Sequence, residues 1–194
     1  MRAVKTLQTY LNQNGSILEV DGIFGKKTRD AIEKISVPNW VKTALKEVGV
    51  KEVAGKGNSA RVLEYHDTAS GNYSSDEVAW CGSFINWVML HHEEKTVKYP
   101  ERAKSWLSFG KSSIVPVVGS IAIKSREGGG HVCMVIGKDK DGSLYCIGGN
   151  QNNEVNISKY PKEVFLDFRV PTTHNKEELP YYTLGSSNKT VGEA

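Results

Sequence analysis

Two residues able to act together as nucleophile and base stand fifty positions apart: Cys81 in AWCGSFINWVML and His131 in GGGHVCMVIG. A thiol becomes an effective nucleophile when a base takes its proton and its surroundings lower its pKa, and a helix start beside an imidazole supplies both. Gly82 and Ser83 follow the cysteine and are small, so a substrate carbonyl can approach the thiol and the N–H groups of the first helical turn, the natural oxyanion donors. A third polar group should orient the imidazole. The first such side chains after the strand in CIGGNQNN are Asn150 and Gln151, each able to accept from a ring N–H. Asn150 is taken as that third residue, with Gln151 as its alternative and as a substrate contact. The opposing reading makes Cys81 an inert buried thiol, as free cysteines often are. Cys133 and Cys146 are assigned that passive role.

These side chains need a helix and a strand to hold them. Alternation along a strand from His131 to Gly137 puts His131, Cys133 and Val135 on one face, so a helix packed there brings Cys81 to the imidazole. That helix is expected over about Trp80 to His92. Ser74 and Glu77 could instead form a capping box and start it a turn earlier; a separate short turn from Ser74 to Val78 is preferred here. Tyr65, Tyr73 and Trp80 lie near this helix start and are expected to line the substrate groove. Further helices are read from Trp40 through Val48, from Arg61 to Tyr65 and around Arg102 to Phe109. Strands follow over Gly119 to Lys124, Leu144 to Ile147 and Phe165 to Val170, with KDKDGS at 138 to 143 as a hairpin turn. Helices first and an antiparallel sheet afterwards make an α+β fold.

Ahead of this unit, Val4, Leu7 and Leu11 share one helical stripe and Ala31, Ile32 and Ile35 another, joined by a loop whose Asp21–Gly22 turn precedes an apolar Phe24. Ser36 to Asn39 punctuate the boundary. The resulting division is a helical module over 1–38, the main domain over 39–172 and a polar tail over 173–194. The 194 residues carry 25 Lys and Arg against 22 Asp and Glu, too even a balance for a dedicated nucleic-acid binder. No run of ~18 apolar residues suggests a membrane span, the N-terminus does not read as a secretory signal, and three cysteines with no CxxC pair exclude a disulfide scaffold. No metal or cofactor is expected.

The motifs DEVAWCGSFINW, RAKSWLSFGK, PVVGSIAI, GGGHVCMVIG and GGNQNNEVNISKYP, in that order, resemble the papain-like peptidoglycan hydrolases of the NlpC/P60 and CHAP superfamily, in the subgroup known mainly from phage and prophage proteins. The resemblance spans about residues 40 to 171. It implies a cysteine amidase or endopeptidase acting on the peptide part of bacterial peptidoglycan, with Cys81 as nucleophile, His131 as base and Asn150 as third member. The stretch Asp21, Gly22, Ile23, Phe24, Gly25, Lys26, Lys27, Thr28 resembles the turn of peptidoglycan-binding type 1 domains, which implies wall contacts at Asp21, Gly22, Phe24 and Thr28. Such an enzyme is expected to be a monomer made in the cytoplasm. It would reach the wall by holin release, tail injection or a secretion system, and an inhibitor or immunity protein is an expected partner. The alternatives are a zinc-dependent amidase, a non-catalytic wall-binding module and a toxin acting on a protein amide.

Overall fold

Helix α1, Arg2–Gln13, forms where its apolar stripe predicts, burying Ala3, Val4, Leu7, Tyr10 and Leu11. Helix α2, Lys26–Lys34, adds Ala31 and Ile32. The turn between them is pinned from α1: the Gln8 amide donates to Asp21 Oδ1 at 2.7 Å and to the Ile23 carbonyl at 3.2 Å, and accepts from the Gly22 N–H at 2.9 Å. Gly22 has φ +84°, the left-handed region that favours glycine. The computed structural model describes residues 2–92, 96–126, 128–174 and 178–184.

Three helices then build one layer of the main unit: α3 (Asn39–Lys46), α4 (Ala60–Asp67) and α5 (Cys81–Leu90). Arg61 on α4 grips Glu47 just past α3 through two nitrogens at 2.7 Å each, and the Tyr65 hydroxyl donates to the same carboxylate at 2.5 Å. This bidentate geometry ties the two helices together. Helix α5 is mostly apolar and buries every residue from Cys81 to Met89, as a helix enclosed on all sides must; its two polar residues bond outward, Ser83 to His66 and Asn86 to Thr68.

The second layer is an antiparallel sheet in the order β1-β6-β2-β3-β4-β5. Its strands are Lys111–Ser112, Ile121–Arg126, Gly129–Lys138, Leu144–Gly148, Asn156–Tyr160 and Phe165–Val170, numbered β1 to β6 in chain order. Residues 131 to 137 of β3 are buried on both faces, because α5 packs on one side and the 3-10 segment Ala103–Ser108 lies against the same strand. The α+β expectation therefore holds, with antiparallel pairing throughout.

Two features depart from the sequence reading. Strand β5 was not expected, since its buried positions Asn156 and Ser158 are polar. The region beyond Pro171 is also not simply a polar tail: Leu179, Tyr182 and Leu184 are buried. Tyr182 stacks edge-on against Tyr10 and donates to Asn14 Oδ1 at 2.9 Å, while Gln13 exchanges two hydrogen bonds with the Thr183 backbone. Three apolar residues in a short segment suffice to dock it. The last ten residues, GSSNKTVGEA, lie outside the described residues.

Candidate active site

Cys81 is the first residue of α5, and Trp80 caps the helix without a side-chain hydrogen bond. The N–H groups of Cys81, Gly82 and Ser83 thus begin a helix whose first turn has no intrahelical acceptors. The capping-box alternative does not form; Glu77 N–H instead bonds Ser75 Oγ at 3.3 Å, in a turn separate from the helix. Gly82 is needed where it stands, because a Cβ there would lie 2.3 Å from the Pro100 carbonyl oxygen.

Residue His131 sits near the start of β3, 2% exposed, on the same face as Cys133. The imidazole is the group that most lowers the Cys81 pKa. Burial pushes the Cys81 thiol up, but the hydrogen bond to His131 and the imidazolium charge outweigh it, with the Val132 backbone and Arg126 helping, and the net pKa is lowered. Burial pulls the imidazole down, yet the thiols of Cys133 and Cys81 hold it well above the ordinary histidine value. The direction for the pair is toward thiolate and imidazolium. Burial and the neighbouring Cys146 push Cys133 far up, so it stays a neutral thiol.

The other end of the ring is equally engaged. His131 Nε2 lies 3.2 Å from Gln151 Oε1, and the Tyr160 hydroxyl donates to that oxygen at 2.9 Å. The Gln151 Nε2 group donates to the Asn156 carbonyl at 2.7 Å and to Asn156 Oδ1 at 3.1 Å, which fixes the carbonyl side of the amide toward the imidazole. Asn156 returns a bond to the Gln151 carbonyl. With Nε2 turned to Gln151, Nδ1 is the nitrogen available to Cys81.

The sequence reading put Asn150 behind the imidazole; in the structure Gln151 occupies that position. Asn150 has φ +53°, a left-handed turn that directs the next side chain back beneath the sheet. Its own Oδ1 is buried without a hydrogen-bond partner among the described residues. The groove expectation also changes. Tyr65, Trp80 and Gln151 are all 0% exposed and offer no surface to a ligand, because the first two stack on each other at 5.9 Å and spend their polar atoms on Glu47 and Glu52. Tyr73 keeps partial exposure against His66.

In the N-terminal segment Asp21 and Gly22 hold the turn with Gln8, and Thr28 is buried with its hydroxyl 3.4 Å from the Ile23 carbonyl. Phe24 is half-buried beneath the Arg29 guanidinium. Three contributors were missed in sequence: Gln8, Tyr160 and Asn156. The signal available for the last two was a run of polar residues at alternate positions after Gly149. Among the described residues no cluster of three or more His, Cys, Asp or Glu could hold a metal ion, and no helix is long and apolar enough to cross a membrane.

Two parts of the chain match known families. Residues 1–35 match the peptidoglycan binding domain family PG_binding_1, and residues 72–150 match the CHAP domain. The second match contains Cys81, His131 and Asn150. No curated protein and no solved structure matches the chain.

Proposed function

We propose, from the CHAP match over residues 72–150 and the peptidoglycan-binding match over 1–35, that the chain is a peptidoglycan hydrolase that cleaves an amide in the peptide part of the wall by cysteine catalysis. Cys81 attacks the carbonyl as thiolate while His131, through Nδ1, holds its proton. The carbonyl oxygen becomes an oxyanion that the N–H groups at the start of α5 stabilise. His131 then gives the proton to the leaving amine, and a water molecule, deprotonated by His131, releases the acyl group from sulfur. Gln151 orients the imidazole by accepting from Nε2–H. The observation that carries this reading is a buried His131 whose Nε2 lies 3.2 Å from Gln151 Oε1 and whose imidazole lowers the pKa of the Cys81 thiol at the start of α5.

The residues 1–38 serve as the wall-binding module and 39–172 as the catalytic domain. Alkylation by iodoacetamide tests the chemistry and the third residue together. A thiolate held by an imidazolium should react at pH 6.5 roughly tenfold faster than a free thiol, because only the thiolate is nucleophilic. Gln151→Ala should remove most of that advantage and lower hydrolysis by about 10²-fold, the scale of a misplaced reacting group. Asn150→Ala should leave the alkylation rate unchanged. If Asn150→Ala abolishes the fast alkylation and Gln151→Ala does not, the assignment of the third residue is overturned.

A further inference from the structure

One segment of chain flanks both Cys81 and His131. Gly82, the residue after Cys81, faces the carbonyl oxygens of Pro100 and Glu101, which would lie 2.3 and 2.6 Å from a Cβ there. Gly130, the residue before His131, faces Ala103 Cβ and Lys104 Cγ, which would lie 3.3 and 3.4 Å from a Cβ there. Residues 100–104 therefore rest against the immediate neighbours of both. The segment is pinned: the Trp106 indole donates to the Pro100 carbonyl at 2.8 Å and the Arg102 N–H to the Tyr99 carbonyl at 3.0 Å. Tyr99 has φ +58°, a left-handed conformation that a bulky residue keeps only where its surroundings impose it.

The charge of this segment is one-sided. From Thr96 to Gly110 it carries Lys98, Arg102 and Lys104 against the single carboxylate of Glu101. The three cations are exposed, Arg102 with 71% of its side chain open, whereas the Glu101 side chain is 9% exposed. Arg102 Nε stands 3.7 Å from Glu101 Oε1, beyond hydrogen-bond reach, and no carboxylate pairs with Lys98 or Lys104 among the described residues. The Arg102 guanidinium and the Lys98 ammonium each lie 4.9 Å from the centre of the Tyr99 ring. An arginine held at an aromatic ring is partly oriented and keeps its N–H donors for a planar anion.

We infer, on the reading of the chain as a hydrolase of wall peptide, that Arg102 and Lys104 form a subsite that receives a free carboxylate of the stem peptide beside the amide attacked by Cys81. The guanidinium fork matches a planar carboxylate. Lys104, whose stem lies against Gly130, adds a second charge on the His131 side. The contact is made by bound substrate and transition state alike, so its loss raises KM and spares kcat.

The test follows fragment release by the full chain from purified sacculi free of teichoic acid, either untreated or with their carboxylates converted to carboxamides by carbodiimide and ammonia. On untreated sacculi Arg102→Gln should raise the apparent KM about tenfold, the scale of one charge-assisted contact, with kcat held within roughly twofold. Lys104→Gln should act in the same direction, and Arg102→Lys should recover part of the loss. On amidated sacculi the wild type should itself show the raised KM, and Arg102→Gln should add nothing to it. Lys140→Gln removes an exposed charge in the turn beyond the far end of β3 and should leave KM unchanged, which separates this subsite from general attraction to an anionic wall. Arg102 is exposed, so its variants are expected to fold, and melting verifies it. An Arg102→Gln penalty that is equal on the two sacculi, absent from both or matched by Lys140→Gln overturns the inference. Release of no fragments by the wild type from untreated sacculi would instead overturn the proposed function.

Discussion

His131→Asn is expected to cut the rate of wall-fragment release by ~10²–10⁴-fold, the range a positioned general base contributes. The effect is large because the proposed mechanism uses the imidazole at three points: it keeps the thiol ionised, protonates the leaving amine and deprotonates the incoming water. Asparagine fills much of the buried volume and leaves Gln151 and Tyr160 a polar neighbour, so the fold should survive. Circular dichroism melting beside the rate measurement separates loss of chemistry from loss of structure. A variant with wild-type melting and activity within tenfold of the parent would show that His131 is not the base.

Gly82→Ala should damage both fold and chemistry. The added Cβ would stand 2.3 Å from the Pro100 carbonyl oxygen and 2.6 Å from that of Glu101. Both are backbone atoms, and the Pro100 carbonyl is tied by the Trp106 indole N–H at 2.8 Å, so the obstruction cannot swing aside as a side chain tip would. Overpacking of this kind costs about 3 kcal/mol, which for a chain of this size lowers the melting temperature by ~6–12 °C. Any relief comes from shifting the start of α5, and a displacement of ~1 Å there costs about 10²-fold in rate. Melting within 2 °C of wild type together with full activity would mean that the segment 99–106 yields more easily than its hydrogen bonds indicate.

The placement of Cys81 and His131 was legible because each sits on a strongly patterned element. The run from Cys81 to Met89 is apolar enough to be read as a buried helix, and His131 opens a strand whose alternation fixes its face. The start of α5, expected near Trp80, falls at Cys81, where the polar turn around Ser74 to Glu77 gives way to an apolar run. The third position was not legible, since Asn150 and Gln151 are adjacent and chemically alike. Only the left-handed backbone at Asn150 decides which one points under the sheet, and Asn takes up that conformation readily. Strand β5 escaped because its inward face is a hydrogen-bond scaffold for Gln151, with Asn156, Ser158 and Tyr160 where apolar residues would have announced a strand. Gln8 escaped as a polar residue on a helix, normally a solvent-facing position, whereas here it is 2% exposed and organises the turn at Asp21.

Soluble fragments released from purified sacculi by the wild type and by Cys81→Ala, resolved by mass spectrometry, test the central claim most directly. The account predicts new peptide termini from the wild type, a fall to background for the variant and unchanged pelleting of both proteins on the wall. Fragments with the same termini and yield from Cys81→Ala would contradict it, because burial and the neighbouring Cys146 push the thiol of Cys133, which shares a strand face with His131, well up and away from replacing the nucleophile.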